Sequence, residues 1–440
     1  MLKTRMNGFA LIVLALAPAA LAQDSTPLKL SLKDAVALAL RQNPQVILAN
    51  LNVSQSQQDT RIARSALLPQ VNGTLGESVH RFNIETEFGS KFPGLAEHIG
   101  PFWVAQAGLG FTAPAFDLTL WNRYRSSKMA QDSRRSQELT VREESVLLVV
   151  SQYLGSQRAA AEVAAAQSRV DLAQALYNQA ADLQKNGAGT GIDTLRANVE
   201  LQNEKQRVIV ARTSLDTSLY ALARLLNIDP QRKIELADQV NFFDTPQVSI
   251  DQTLERAYAA RPELRQVLNE EQRASLDVKI ASQERLPKVS LSGLWLEQGL
   301  TPAGAIPVYT YEADLNIPLF TGGRIQADRD KADLAIRQLK QQEQEIRNRI
   351  ALEVKTAAAQ LESARSQVDV ANLGVSLAKQ EVEQARDRFQ AGVADNIEVV
   401  TAQDELARAN DNQIAALYRY NQSRADLAHA VGQMEALYAR

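Results

Sequence analysis

The chain has 440 residues, aromatics at only 5%, no cysteine and a formal charge of -3. The missing cysteine excludes disulfides, thiolate metal sites, a cysteine nucleophile and lipid attachment through an N-terminal Cys. The near-balanced, unclustered charge leaves no electrostatic footprint for nucleic acid.

The first 22 residues predict a secretory signal peptide. Lys3 and Arg5 form a basic start, Phe9 to Leu16 an apolar core, and Ala20-Leu21-Ala22 a small-residue cleavage site. The apolar stretch is too short for a permanent membrane span, and no later segment approaches ~20 apolar residues in a row.

The mature chain then says the same thing twice. Residues 30–75 lie on 248–293 without a gap: Pro44 falls on Pro262, and Leu68-Pro69-Gln70-Val71 on Leu286-Pro287-Lys288-Val289. The match continues from Pro114-Ala115-Phe116 against Pro318-Leu319-Phe320 to the glycines Gly187 and Gly392. A period above two hundred residues marks one duplicated unit rather than a solenoid. The expected division is 23–240 and 241–440.

Each copy opens with two short helices, the second starting at Asn43-Pro44 or Arg261-Pro262. Asn can cap a helix and Pro suits its first turn, so the Arg261 start is less well specified. After Pro69 and Pro287 the period changes from helical to alternating. Strands are expected at about 70–82, 101–113, 288–298 and 309–318, with a long loop at about 83–100 and a short one at about 299–308. Tyr309, Tyr311, Leu315 and Ile317 share one side of the last strand, Glu312 and Asp314 the other. Leu109 and Phe111 belong with the apolar side. Strands of this length suit a transmembrane barrel. Periodicity alone leaves open a half-buried sheet of a soluble domain; the signal peptide, and the lack of other apolar mass to cover the sheet, favour the membrane.

Helical hairpins follow, at about 119–228 and 324–432. From Arg324 the pattern runs without proline, enough for ~100 Å of helix. Val354, Leu361, Val368, Val375 and Val382 sit seven apart, with Ala357, Ala364, Ala371, Ala378 and Ala385 between them. A strict heptad means a left-handed coiled coil. The first copy repeats it with Val149, Val163, Val170, Tyr177 and the alanines Ala159, Ala166, Ala173 and Ala180. The run Gly187-Ala188-Gly189-Thr190-Gly191 looks like a phosphate loop, but it lacks a preceding strand and a downstream Lys, so a helix turn is expected. Scattered His80, His98 and His429 suggest no metal cluster. No catalytic constellation and no cofactor motif stands out.

In their order and spacing, the duplication, the paired Leu-Pro-x-Val strand entries, Asn316-Ile317-Pro318-Leu319-Phe320 with Thr321-Gly322-Gly323, and the hairpin tips at Gly187 to Leu195 and Gly392 to Val400 resemble the TolC-like outer-membrane efflux proteins. The resemblance covers essentially the whole mature chain. It implies a mainly α fold with a small transmembrane β-barrel contribution: a homotrimer in the bacterial outer membrane, four strands per protomer in a shared barrel, and helices forming a tunnel across the periplasm. It further implies a passive, non-enzymatic duct for multidrug efflux or type I secretion. The implied partners are a periplasmic adaptor docking around Gly187 and Gly392 and an inner-membrane RND, ABC or MFS transporter. The competing reading is a secreted coiled-coil adhesive protein with a soluble β head.

The same resemblance points to the periplasmic entrance. Asp193 stands at the aspartate of the family's arginine–aspartate latch, but the arginine position is Ala394. Of the two residues of an acidic constriction ring, Glu398 matches the first and Thr401 replaces the second. In a closed trimer Asp193 and Glu398 would crowd carboxylates near the axis, which is unfavourable unless they are protonated, paired or bridged. Lys185, Arg196, Arg386 and Arg388 are nearby donors. A substitute pairing or bound divalent cations are therefore expected; the alternative is that both carboxylates point into solvent near a helix start, where the dipole favours them. Glu312 and Asp314 are expected to line the barrel lumen.

Overall fold

The computed structural model describes residues 27–439 apart from 91, 92, 95, 188, 230, 239–248, 392, 394 and 395. The expected signal peptide, the junction at 240/241 and the tip residues Gly392 and Ala394 lie outside the described residues. Strand β1 (Leu28–Leu30) leads into helices α1 (Leu32–Gln42) and α2 (Pro44–Ser65). Strand β2 (Gln70–Asn83), the short helix α3 (Ile84–Phe88) and strand β3 (His98–Phe116) follow. The long helix α4 (Leu118–Lys185) then returns as α5 (Gly191–Leu225), and β4 (Ile234–Leu236) closes this half. The second half runs α6 (Ile250–Ala260), α7 (Pro262–Gln283), β5 (Lys288–Gly299), β6 (Ile306–Asn316), α8 (Arg324–Gln390) and α9 (Asn396–Val431), with α10 (Met434–Tyr438) at its end.

Several boundaries differ from the sequence pattern. Helix α3 and the first residues of β3 take up the two ends of the expected 83–100 loop. β6 starts at Ile306 and stops at Asn316, whose partner is Lys288, the first residue of β5. Ile317 therefore lies beyond the strand, because Pro318 has no N–H to continue the ladder. β1, β4 and α10 were not legible: three to five residues carry no period.

β2, β3, β5 and β6 form one antiparallel sheet in that order. The β3–β5 pairing joins the two halves, with Leu109 opposite Trp295 and Phe111 opposite Gly293. Rows cross the whole sheet: Gly73–Leu109–Trp295–Tyr309, and Val71–Phe111–Gly293–Tyr311. A Cβ on Gly293 would collide with the rings of Phe111 and Tyr311, so glycine here lets the two neighbouring aromatics close over the strand. Leu315, opposite Val289, shares their face, while Glu312 and Asp314, opposite Ser292 and Ser290, lie on the other. The aromatic face is uncovered: Val71, Leu75, Trp103, Leu109, Trp295, Tyr309, Tyr311 and Leu315 are 58–89% exposed.

Helices α4 (68 residues) and α8 (67 residues) are each about 100 Å long at 1.5 Å per residue. The seam of α8 is buried at Val354, Leu361, Ala364, Val368, Val375, Ala378, Val382 and Ala385. In α4 the alanines Ala159, Ala166, Ala173 and Ala180 are buried, whereas Val163, Val170 and Tyr177 are only half-buried. Alanine at the seam lets backbones approach closely while contributing little apolar area per residue.

The dense core sits at the waist, where the short helices meet the long ones. Val36, Ala39, Val146, Val149, Val150, Tyr153, Leu222 and Leu226 of the first half pack together with Met434 of α10. Ala257, Leu264, Val267, Ile350, Val354 and Ala430 do so in the second. The Tyr153 hydroxyl donates to Leu30 O at 2.9 Å and lies 3.1 Å from Asp238 Oδ2, fastening the β1/β4 ribbon to α4. Glu143 accepts the N–H groups of Met434 and Glu435, anchoring α10 by its first turn.

Two equivalent joints use different chemistry. Asn43 Oδ1 accepts the Gln45 N–H at 2.8 Å, capping α2, and its Nδ2 donates to Leu225 O at the end of α5. Arg261 makes no side-chain cap on α7. Instead its nearly buried guanidinium donates to His429 O near the end of α9 and pairs with Glu263 and Glu353 at 3.1 and 2.8 Å. Each side chain thus ties the start of a short helix to the end of the returning helix. Burial, then the neighbouring Arg261 charge, holds the His429 imidazole below its ordinary 6.5, against the opposing pull of Glu263, Glu353 and Asp426.

A depressed folded-state value means that the unfolded chain binds the proton first as pH falls through about 6.5. Stability present at neutral pH is then lost on acidification, whereas Glu143 and Glu144, whose carboxyls burial pushes up, act in the opposite sense. In thermal unfolding at pH 7.5 and 5.5, His429→Gln is expected to lose less stability between the two than the unaltered protein does.

Candidate functional site

The hairpin tips were singled out as the entrance, and the structure resolves most of one of them. Helix α4 ends at Lys185, and Gly187 follows with φ 72°, a left-handed conformation that glycine adopts without a Cβ penalty. Its N–H donates to Gln184 O at 3.1 Å, and the Gly189 N–H donates to Leu183 O at 3.0 Å. The glycine-rich run follows a helix rather than a strand, and its last residue opens α5. Asp193 sits in the first turn of α5, where its carboxylate accepts the Thr190 N–H at 3.3 Å and the Thr190 hydroxyl. This is the reciprocal arrangement of a capping box, and the helix N-terminus favours the charge.

On the second hairpin, Glu398 lies in the first turn of α9 and pairs with Arg388 from the end of α8, Nε to Oε1 at 2.8 Å. Thr401 donates its hydroxyl back to Ile397 O at 2.9 Å. Asp193 and Glu398 are each engaged on their own hairpin, and Arg388 is the donor that reaches the second. Gly392 and Ala394 lie outside the described residues. Glu312 and Asp314 are exposed on the polar face of β6, far along the chain from either tip.

Between the hairpins α4, α5 and α9 enclose a cleft of about 470 Å³, lined by Leu172, Leu176, Leu195, Val199, Ile397 and Val400, with Asp193 among the polar residues. A charge cluster also borders the cleft. Arg169 of α4 donates from Nη1 to both carboxylate oxygens of Asp411 on α9, at 3.1 and 3.0 Å. Its Nε lies 3.5 Å from Glu204 Oε2 on α5, and Arg207 Nη1 holds Glu204 Oε1 at 2.7 Å. Glu204 is 4% exposed. Burial raises its carboxyl above the ordinary 4.5, opposed by Arg207 and Arg169. Arg169 therefore ties three helices and both hairpins, about 24 Å above the end of α4 at 1.5 Å per residue. Higher up, Arg158 stacks over Tyr418 at 5.5 Å and Gln422 donates to Ser151 at 2.8 Å. The sequence carried a signal for this cluster. Leu201, Glu204 and Val208 share one helical stripe, so a carboxylate occupies a seam position and needs a cation.

A four-stranded sheet with one uncovered apolar face, carried on helical hairpins about 100 Å long, is the architecture of a channel subunit. The family model described as outer membrane efflux protein matches residues 35–227 and 253–433, and the chain belongs to that family. It is an efflux channel protein of the outer membrane. The pyoverdine export outer membrane protein OpmQ of Pseudomonas aeruginosa is 24% identical over 403 residues, covering 86% of this chain and 80% of that one. The alkaline protease secretion protein AprF of the same organism is 26% identical over 428 residues, covering 92% and 85%. Among solved structures, the Campylobacter jejuni CmeC outer membrane channel superposes with a TM-score of 0.79 at 20% identity, covering 91% of this chain and 85% of that one.

The cluster's geometry separates its two anions. Arg169→Ala leaves buried Glu204 with Arg207 alone and should destabilise by about 1–3 kcal/mol, the usual cost of an unsatisfied buried polar group. Asp411→Ala removes a half-exposed partner and should cost at most about 1 kcal/mol. Thermal unfolding of the two variants checks the order.

Proposed function

We propose that this chain is one protomer of a homotrimeric exit duct, with its sheet contributing one third of a closed barrel and its helical hairpins forming a tunnel into the periplasm. The observation that carries this reading is the pair of free sheet edges on β2 and β6 beside an uncovered aromatic face. In hydrocarbon an unpaired strand edge costs several kcal/mol per polar group, so a four-stranded sheet must be completed by further copies. The strands alternate in direction, so β6 of one copy meets β2 of the next antiparallel, and the alternation continues around a ring. A soluble adhesive head would instead need cover for that face, and none of the described helices supplies it. The two stretches matched by the family model support reading the chain as two copies of one unit, 23–240 and 241–440.

Such a duct supplies no energy, and its family members are channels. A periplasmic adaptor at the tips around Gly187 and Gly392 and an inner-membrane RND, ABC or MFS transporter would drive export. OpmQ is named for pyoverdine export and AprF for alkaline protease secretion, which supports a duct whose cargo is chosen by its partners. Glu312 and Asp314, on the face opposite the aromatics, would line the lumen.

At the entrance, the local engagement of Asp193 and Glu398 supports substitute pairing over cation bridging. Arg388–Glu398 ties the end of α8 to the start of α9, and Arg169–Asp411 holds one hairpin to the other higher up; the family's latch arginine is replaced by Ala394 in the sequence. Both pairs are partly exposed and individually weak, so the closed entrance is held by several small contacts rather than one.

Two measurements test this reading. A charge on the lipid face costs about 2–4 kcal/mol near the midplane, so Leu315→Arg should reduce oligomer yield in outer membranes far more than Asp314→Arg; equal losses reject the assignment of faces. In planar bilayers, Arg388→Ala combined with Arg169→Ala should raise open conductance, while millimolar divalent cations on the periplasmic side leave the unaltered channel unblocked. Block that is abolished by Asp193→Asn with Glu398→Gln would restore the cation-bridged alternative.

A further inference from the structure

Where α4 and α7 join the sheet they leave a groove of about 440 Å³. Trp121, Tyr124, Arg125, Lys128, Leu276 and Lys279 line it, and none of its lining residues is acidic. This sets it apart from its surroundings. At the same level Arg324 is matched by Glu284 and Asp328, Arg123 by Glu284, and Lys288 by Asp117. Lys128 Nζ sits 4.8 Å from the centre of the Tyr124 ring, and Tyr124 packs 5.9 Å from Trp121. Three cations beside an aromatic wall, with no acidic residue in the lining, suit an anion that also has an apolar part.

The groove's height narrows the choice. Trp121 lies three residues into α4 and Lys279 four residues before the end of α7, so both sit about 5–6 Å from the helix ends that meet the sheet. Lys128 starts at about 15 Å, beyond the polar layer, but its Nζ is turned back one turn over the Tyr124 ring. The polar layer on each side of a bilayer is about 5–8 Å thick. Exposed apolar side chains mark the same junction: Phe116 at 48%, Trp121 at 51%, Leu319 at 92% and Phe320 at 89%. Trp and Tyr concentrate where hydrocarbon meets headgroups. Basic pockets beside them bind anionic lipid headgroups.

We infer that this groove holds an anionic phospholipid of the periplasm-facing leaflet. Its phosphate lies among Arg125, Lys128 and Lys279, its glycerol region lies against Trp121 and Tyr124, and its chains rise along the sheet. The inference rests on the proposed lipid-facing side of that sheet.

The intact purified oligomer, stripped of lipid, is incubated with equimolar phosphatidylglycerol and phosphatidylcholine and analysed by native mass spectrometry, alongside its dissociation temperature in detergent. Phosphatidylglycerol should be retained preferentially and should raise the dissociation temperature, and millimolar inorganic phosphate should not. Arg125→Gln, Lys128→Gln and Lys279→Gln should each lower that preference about fivefold, leaving phosphatidylcholine retention and bilayer conductance unchanged, and Lys279→Arg should preserve it. Equal retention of the two lipids, a preference that survives the triple variant, or a temperature shift reproduced by inorganic phosphate overturns the inference. Failure of the triple variant to assemble, with single variants that keep full preference, assigns the groove to a neighbouring copy and overturns it as well. Loss of conductance by the unaltered protein would instead count against the duct itself.

Discussion

The constraint on which this architecture depends is that backbone N–H and C=O groups have no water to bond to inside a membrane. Pairing β3 with β5 answers half of it. The two strand pairs, which are separate in the sequence, become one sheet, so the protomer carries two open edges instead of four. The outer edges of β2 and β6 remain, and they make the isolated chain incomplete. The same constraint fixes the directions of the long helices: every strand pair starts and ends on the periplasmic side, so α4 and α8 leave the sheet the same way.

Because its aromatic face is uncovered, the sheet adds little core of its own, and most cohesion within the chain comes from the waist. There the apolar clusters are densest and the polar links are specific: Tyr153 to the β1/β4 ribbon, Glu143 to α10, and Asn43 and Arg261 to the returning helices. Below the waist the alanine seams bury less area per residue, and charges take a larger share of the contacts between hairpins. In the proposed duct, that gradient would suit an entrance that opens at the tips while the tube above keeps its shape. Arg169 lies where the two regimes meet.

Most of the fold was legible because its signals are long. Heptads of Val and Ala over tens of residues, strict alternation from Tyr309 to Leu315, and prolines at 69 and 287 each fix an element type and a boundary. The β3–β5 pairing was not legible, because residues about 180 apart in sequence share no local pattern. Arg169, Glu204 and Asp411 were missed for a related reason. Each looks like an ordinary surface charge until three helices are brought together, and only Glu204, between Leu201 and Val208, hinted at burial. At the tips the sequence named Asp193, Glu398 and Arg388 but could not say which would pair; the Thr190 capping box claims the first and Arg388 the second.

The unlike joints at Asn43 and Arg261 bear on the symmetry of the assembled ring. Two similar halves in each of three copies would make a tube of six nearly equal staves. At one type of stave the short helix is tied by a neutral amide that does not titrate; at the other the tie is a guanidinium beside an imidazole whose protonation is held off. In the proposed trimer, mild acid would act through His429 on every second stave, while the raised carboxyls of Glu143 and Glu144 act in the opposite sense on the staves between. A tube that looks sixfold in its backbone would respond to protons as a threefold one, flexing along alternate seams instead of swelling evenly.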